Sequence, residues 1–209
     1  RLFYCYPDRV TDELIEVIAE EEKICSYIDI PLQHCNGDVL RAMNRNGSYD
    51  SLKELLTKMK SRIKGLSLRT TFMVGFPGES EEQFEELCRF IKDIEFDRLG
   101  CFAFSPEEDT PAFDFDNQID DKIKQRRAEV LMDIQYSITE KANKAKIGNV
   151  YKAVIDSFDD GKYVGRSYLD SPEIDTGIII TSKNELSVGD FIQVKITDYD
   201  GYDLIGEEI

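Results

Sequence analysis

The sequence predicts an α/β protein in two parts: the later strands and helices of a parallel β/α barrel over residues 1–146, and a small all-β, OB-like barrel over residues 147–209. Two observations predict this fold class. Short apolar runs alternate with amphipathic helical patterns in the first part, as in βαβ crossovers and parallel sheets. After Gly148 the pattern changes to short β-rich runs separated by Asp, Gly and Asn, which is typical of a small antiparallel barrel.

Four strands and four helices are predicted for the first part, in a sheet that is closed or nearly closed as a barrel. Helices follow Thr11, Ser48 and Ser80, because each of these residues can cap a helix and precedes an apolar stripe with helical spacing. A long polar helix without a following strand serves as a connector. The predicted strands are Leu2–Tyr6, Tyr27–Leu32, Leu68–Val74 and Leu99–Phe104, with a loop from Gln33 to Gly47, and the connector helix runs from Asp120 to about Lys146.

Five short strands are predicted for the second part. Their lengths and the turn residues between them favour a closed antiparallel arrangement. They are Tyr151–Ile155, Tyr163–Ser167, Gly177–Thr181, Phe191–Thr197 and Asp203–Ile205.

The chain is acidic, with a formal net charge of −16. Residues 147–209 contain 5 Lys and Arg against 13 Asp and Glu, so the small barrel is the more acidic part per residue. Such a surface repels phosphate backbones and attracts a basic partner, although acidity can also serve solubility alone. We therefore expect direct nucleic-acid binding to be less favoured than binding of a basic protein.

The five cysteines are odd in number and unevenly spaced, which argues against a disulfide framework and for a reducing, cytoplasmic environment. None lies at the spacing that lets one loop hold zinc or an iron-sulfur cluster, so we predict no metal site within the chain. No apolar run approaches the ~18 residues of a membrane span. Because the chain opens on an apolar stretch without Met, we expect it to be a piece of a longer protein.

The loops after the predicted barrel strands carry the candidate site residues, because ligands of parallel barrels bind at that end. In RTTFMVGFPGES, Gly75 and Gly78 allow tight turns and can leave backbone amides open to a ligand; the alternative is an ordinary turn with a well-made helix cap. Arg69 shares a strand face with Thr71 and Met73. Its guanidinium can bind a substrate carboxylate or form a structural salt bridge to a barrel carboxylate.

Two further loops contribute candidates. Gln33 precedes His34, the only histidine, which is either a substrate-side residue or a hydrogen-bonded structural one. Glu107 lies in an acidic loop that either binds a polar group or is simply solvated. Catalytic residues cannot be assigned from these patterns.

Three blocks carry a family resemblance: PLQHCNGDVLRAMNRNGSY, LRTTFMVGFPGESEEQFEEL and FDRLGCFAFSPEEDTPAF. Their order and spacing resemble the radical S-adenosylmethionine (SAM) methylthiotransferases, and the small barrel resembles the TRAM domain of that family. The resemblance covers the whole chain. Gln33-His34 and YVGRSYLDSPEIDTG resemble the members that modify an aspartate of a small-subunit ribosomal protein, whereas the tRNA-modifying members usually have Gln-Ser and a more basic TRAM surface.

The resemblance implies SAM and two iron-sulfur clusters as cofactors, with the cluster ligands outside this chain. The family's CxxxCxxC motif is absent here, so the resemblance implies an active full-length enzyme and an inactive fragment. Cys35 and Asp109 stand where relatives often have glycine. For the cofactor side the resemblance suggests Arg69, Gln33, Gly75 and Gly78, and for the substrate side His34 and Glu107, with Asp198, Asp200 and Asp203 of the small barrel meeting a basic ribosomal protein.

Three alternatives remain open at this point. The first is a tRNA adenosine methylthiotransferase, and the second is a non-catalytic binding fragment. The third is a β/α-barrel hydrolase, which would require a paired acid and base or a metal triad in the same loops, and neither is evident.

Overall fold

The computed structural model describes all residues, Arg1–Ile209. The first part is an open three-stranded parallel sheet in the order β1-β2-β3, with helices packed on one face. The strands are β1 Tyr27–Asp29, β2 Ser67–Val74 and β3 Arg98–Ala103, and the helices are α1 Asp12–Glu20, α2 Gly37–Ala42, α3 Tyr49–Arg62, α4 Glu81–Ile94 and α5 Asp121–Lys146, with short 3-10 turns at Pro7–Arg9 and Pro111–Asp114.

The predicted helix starts are confirmed by their capping hydrogen bonds. The side chain of Thr11 accepts from the Leu14 amide, and Ser48 and Ser80 each form a capping box with the residue three positions later. Each cap satisfies an amide that the first helical turn would otherwise leave without a partner.

Two elements differ from the sequence prediction. The run Leu2–Tyr6 is not a strand: only Leu2 bridges Ile28, and Tyr4 adopts a left-handed φ of 56°, which interrupts an extended strand. The predicted loop after Gln33 contains the short helix α2, capped by Asn36, whose side chain accepts from the Asp38 and Val39 amides. Six residues are too few for an apolar period to reveal a helix.

Strand β2 separates the two faces of the sheet. Its alternate residues Leu68, Thr70, Phe72 and Val74 are buried beneath the helices, and the three apolar ones belong to a core cluster of 23 buried residues. Arg69, Thr71 and Met73 lie on the opposite face, which we call the inner face, as their alternation predicted. The inner face carries no helix, and Phe102 of β3 is 63% exposed there.

The second part is a closed five-stranded barrel with its own core. Its strands run in the order β4-β5-β6-β8-β7, with β6 and β8 parallel and all other neighbours antiparallel. Eight buried residues fill the interior. The strands are β4 Val150–Asp159, β5 Lys162–Arg166, β6 Ile178–Thr181, β7 Phe191–Asp200 and β8 Asp203–Glu208. The predicted OB-like barrel is confirmed.

The segment between β5 and β6, residues 167–177, joins the two parts, and we call it the docking segment. Asp170 accepts a hydrogen bond from Arg98 at 2.6 Å, and Asp175 accepts from Tyr27 at 2.8 Å and from Arg69 at 3.3 Å. All three partners lie at or near the amino ends of the parallel strands. The small barrel is therefore fixed to the amino end of the sheet.

Helix α5 provides a second connection between the parts. Its Asn143 side chain donates to the carbonyl oxygens of Gly201 and Tyr202, in the turn between β7 and β8. The Tyr202 ring also packs edge-on against Tyr136, with centroids 5.8 Å apart.

None of the helices in the chain combines the length and the apolar character that a membrane span requires.

Candidate functional site

A cavity of about 570 Å³ lies at the carboxyl end of the sheet, and we call it the rim pocket. Its volume is within the range of small-molecule sites. Each of the three strands contributes to it through the loop that follows, as expected for the ligand-binding end of parallel strands. Residues that line it include Gln33, Arg45, Met73, Phe76, Phe104, Glu107 and Phe115.

A second cavity, of about 370 Å³, extends over the inner face, and we call it the inner cavity. Gln33 and Arg45 line both cavities, so these two residues mark their junction. The other residues of the inner cavity are Tyr4, Tyr6, Pro31, Arg69, Thr71, Phe102 and Ile174, the last from the docking segment.

Gln33 is held in place by the neighbouring strand. Its amide donates to the Thr71 carbonyl and its carbonyl accepts from the Met73 amide, both at 2.8 Å. Its left-handed φ of 69° turns the chain at the end of β1. The predicted position of Gln33 at the carboxyl end is thus matched by its place at the cavity junction.

The GFPGE loop is organised by Glu79. This buried carboxylate accepts from the amides of Gly75 at 2.6 Å and Phe76 at 3.3 Å, and from Arg127 of α5 at 3.0 Å. Burial raises the pKa of Glu79, against the opposing effect of Arg127 and the two amides. Arg127 lies 48 residues from Glu79, so no local sequence pattern predicts this buried ion pair.

The expectation that this loop leaves amides open to a ligand is not met. The Gly75 and Phe76 amides are bound to Glu79, and the Gly78 amide donates to the Asn117 carbonyl at 2.9 Å. A carboxylate inside the loop competes successfully for these donors because it is already held beside them. The loop instead presents the Phe76 ring to the rim pocket.

Gly75 is required by both conformation and space. Its φ is +74°, and a Cβ at this position would lie 2.3 Å from Cγ and 2.9 Å from Cβ of Lys124. Lys124 is itself buried, with its ammonium group 5.5 Å from the Phe104 ring centroid. Helix α5 therefore packs directly against the turn that shapes the rim pocket.

Arg69 is a structural ion-pair partner in this structure. Its guanidinium donates to Asp29 at 3.0 Å and to Asp175 at 3.3 Å, and both carboxylates are nearly fully buried. Burial alone would lower the pKa of Arg69, but Asp29 and Asp175 outweigh it and raise the pKa. The salt-bridge alternative considered from the sequence is the one observed.

Arg69 and the Gly75 turn lie toward opposite ends of β2. The six-residue separation corresponds to about 20 Å of extended chain. Arg69 lines the inner cavity but not the rim pocket. The structure therefore does not bring Arg69 together with Gly75 and Gly78.

His34 does not face either cavity. Its side chain is fully buried, with Nδ1 accepting from the Asn36 amide at 2.9 Å and Nε2 without a partner. Burial and the positive charge of Arg127 lower the pKa of His34 to about 4. These properties correspond to the structural alternative for this residue.

The remaining candidates lie in two different places. Glu107 lines the rim pocket and is exposed. Asp198, Asp200 and Asp203 lie around the turn between β7 and β8, and none forms a salt bridge. Asp203 is partly engaged, because its carboxylate accepts from the Gly177 amide at 3.2 Å.

The side chains of this chain do not fit an iron-sulfur cluster. No group of three or more His, Cys, Asp or Glu side chains is close enough to share a metal ion. Burial also raises the thiol pKa of Cys35, Cys88 and Cys101, which disfavours the thiolate form that binds a metal. A cluster would require ligands other than these.

Comparisons with known families match both parts of the chain. Residues 2–91 match the radical SAM superfamily, and residues 147–209 match the TRAM domain. The first match lies within the part that contains the parallel sheet, and the second coincides with the small barrel.

Curated relatives align with nearly the whole chain. The chain is 49% identical over 207 residues to ribosomal protein uS12 methylthiotransferase RimO of Caldanaerobacter subterraneus subsp. tengcongensis, covering 99% of this chain and 47% of the relative. The corresponding enzymes of Thermoanaerobacter sp. and Desulfitobacterium hafniense are 47% and 45% identical, over 99% and 100% of this chain and 47% of each relative. The chain is similar to these enzymes over nearly its whole length, and it spans about half the length of the curated relatives it matches.

Among solved structures, coproporphyrinogen III oxidase HemN from Escherichia coli aligns with 93% of this chain and 46% of its own, at 16% identity and a TM-score of 0.46. A similarity at this level supports no argument about the site.

Proposed function

We propose that the full-length protein is a radical SAM methylthiotransferase that inserts a methylthio group at an unactivated carbon of an aspartate in ribosomal protein uS12. The observation that carries this proposal is 45–49% identity to uS12 methylthiotransferases across both parts of the chain. We place the enzyme in the cytoplasm, where its ribosomal substrate is made.

The rim pocket is the proposed SAM site, and its composition suits that cofactor. The Phe76, Phe104 and Phe115 rings offer aromatic surface for a base, and Gln33, Arg45 and Glu107 offer polar groups at the same cavity. Together with a reduced iron-sulfur cluster, bound SAM supplies the radical chemistry that activates a carbon-hydrogen bond. Two clusters, held by residues outside this chain, are part of the proposal, and the 209-residue chain alone is expected to be inactive.

The residues of this chain would orient SAM and exclude water. Gln33 would hold its polar end, and Gly75 and Gly78 would act through the shape of the turn that carries Phe76. Arg69 we assign to domain docking, because its guanidinium already faces two carboxylates. His34 would act through the packing behind Gln33, since its side chain faces the helices.

The acidic TRAM barrel is the proposed docking surface for uS12, which as a ribosomal protein is expected to be basic. Asp170 and Asp175 are already paired with Arg98 and Arg69, respectively. Asp198 and Asp200 are exposed and form no salt bridge, so they remain available to a basic partner. Complementary charge accelerates association and disfavours bare tRNA, whose phosphates this surface would repel. The barrel lies at the amino end of the sheet, whereas the rim pocket lies at the carboxyl end. The barrel would therefore hold the body of uS12 while a loop of uS12 extends to the rim pocket.

The decisive experiment reconstitutes the full-length enzyme with iron and sulfide and supplies SAM, a reductant and purified uS12. Mass spectrometry of peptides is expected to locate a methylthio group on one aspartate of uS12. A methylthio group found on tRNA adenosine instead, with uS12 unmodified, would overturn the proposal in favour of the tRNA alternative. If the enzyme cleaved SAM but modified neither uS12 nor tRNA, the proposal would also be overturned.

The docking surface is tested by charge reversal. Binding of uS12 to the full-length enzyme is expected to weaken as salt rises, and Asp198→Lys with Asp200→Lys is expected to weaken it further. The matched control is Glu13→Lys with Glu16→Lys, which makes the same charge change on the exposed side of α1. Equal effects of both pairs would show that only net charge matters, and would refute a specific TRAM surface.

A further inference from the structure

The guanidinium group of Arg45, in the loop after α2, lines both cavities and has no carboxylate partner. It makes one side-chain hydrogen bond, from Nη1 to the Pro31 carbonyl at 3.3 Å. Its guanidinium carbon also lies 5.4 Å from the Tyr6 ring centroid. Since arginine carries five N–H donors, four of them remain available to a ligand.

The backbone around Arg45 fixes where this group lies. After α2 ends, Asn44 adopts a left-handed φ of 56°, and the Arg45 amide donates back to the Leu40 carbonyl at 2.8 Å. This reversal directs the chain back toward the cavity junction, where Arg45 stands with Gln33. The side chain is thus oriented by a carbonyl and a ring, and neither neutralises its charge.

The other arginines near this region differ in that respect. Arg69, which also lines the inner cavity, is paired with Asp29 and Asp175, and Arg41 is paired with Asp38 on the exposed side of α2. Arg45 alone combines an unpaired charge with a position at both cavities. In a partly apolar cavity such a group favours an anion of planar, two-oxygen geometry.

We propose that Arg45 binds a carboxylate at the junction of the rim pocket and the inner cavity. This inference rests on the proposed function, which supplies two carboxylates of the required kind: the amino-acid end of SAM and the side chain of the target aspartate. Glu107 lines the same pocket and can accept from an ammonium group, which the amino-acid end of SAM has and the aspartate side chain lacks.

The test uses the full-length enzyme carrying Arg45→Met, which keeps most of the side-chain length and removes the charge. Arg41→Met is the matched control, because Arg41 lies on the helix just before Arg45 and its side chain is 78% exposed. Equilibrium binding of SAM, and separately of a uS12 peptide with its aspartate or with asparagine in that place, is measured for each variant. Thermal unfolding shows whether each variant is folded.

A SAM carboxylate on Arg45 predicts that Arg45→Met weakens SAM binding by about tenfold or more, since a charge-assisted hydrogen bond is lost. Glu107→Gln is then expected to weaken SAM binding as well. If Arg45 binds the target aspartate instead, Arg45→Met should leave SAM binding unchanged and should weaken binding of the aspartate peptide by about tenfold. Binding of the asparagine peptide should then be equally weak in the wild type and in Arg45→Met.

Unchanged binding of both ligands by a folded Arg45→Met variant would overturn the proposal. If that variant fails to fold, Arg45→Lys replaces it; a charge-preserving variant that binds both ligands as tightly as the wild type would contradict two-oxygen recognition. Failure of the proposed function would be seen differently, because the wild-type enzyme would then not bind SAM or not modify uS12.

Discussion

The Arg98–Asp170 ion pair offers a direct test of how the two parts are joined. Both side chains are buried, with 8% and 1% of their surface exposed, and the Asp170 carboxylate also accepts from the amide and hydroxyl of Ser167. Asp170→Asn keeps the shape and removes the charge, so Arg98 is left buried without its main counter-charge. Breaking a buried pair from one side typically costs ~3–5 kcal/mol.

We expect a loss of about 3 kcal/mol for Asp170→Asn, at the lower end of that range. The reason is that Asp175 and Asp97 also attract the Arg98 charge, although less than Asp170 does. Asp38→Asn is the control, because the Arg41–Asp38 pair is 78% and 76% exposed and such pairs contribute less than about 1 kcal/mol.

Urea unfolding followed by circular dichroism measures both variants. The Asp170→Asn variant is expected to unfold at a lower urea concentration, and weaker docking should also separate the unfolding of the two parts into distinguishable transitions. The double change Arg98→Met with Asp170→Leu should recover much of the loss, since no unpaired charge remains. If Asp170→Asn and Asp38→Asn unfolded at the same urea concentration, the Arg98–Asp170 pair would not be the main contact that holds the docking segment to the sheet.

Two further predictions concern the GFPGE region and the strand end beside it. Because the pKa of His34 is about 4 in the folded protein and about 6.5 in an unfolded chain, the unfolded chain binds the proton first, so the free energy of unfolding should fall by about 3 kcal/mol as the pH falls from about 6.5 to about 4. His34→Asn should remove that part of the pH dependence, and an unchanged profile would contradict it. Gly75→Ala should lower the free energy of unfolding by about 2–4 kcal/mol, because of the left-handed φ at this position and the contact of a new Cβ with Lys124. The control Gly161→Ala, at φ +76° with nothing within 4 Å, should lower it by only about 1 kcal/mol. Equal losses for the two variants in thermal unfolding would exclude the contact with Lys124 as a cause.

The element order and the faces of the elements were predictable because they depend on local spacing. The alternation in β2 placed Arg69, Thr71 and Met73 on one face, and the capping residues located three helix starts. These features require only neighbours within a few positions. The short α2 was missed because its six residues carry too little periodicity.

The partners of charged residues were not predictable from spacing. Arg69 pairs with Asp175, 106 positions away, and Arg127 pairs with Glu79, 48 positions away, so no local pattern reveals either contact. The same limit applies to Arg45, because no local pattern reveals that this arginine lacks a carboxylate partner whereas Arg69 has two. For the candidate site, the sequence indicated the carboxyl end of the strands, where the structure has the rim pocket, but it did not indicate that Arg45 lacks a carboxylate partner.

The docking segment has a consequence for the order in which the chain assembles during synthesis. Strands β1 to β3 are synthesised long before residue 170, so Tyr27 and Arg98 lack their partners Asp175 and Asp170, which lie 148 and 72 positions downstream. Arg69 has only Asp29 as a partner until Asp175, 106 positions downstream, has been made. Contacts of such separation form late, whereas the small barrel closes mostly through near neighbours in sequence. Until residue 170 has been synthesised, Arg98 therefore lacks its main counter-charge, and the amino end of the sheet reaches its final structure only after the docking segment has folded against it.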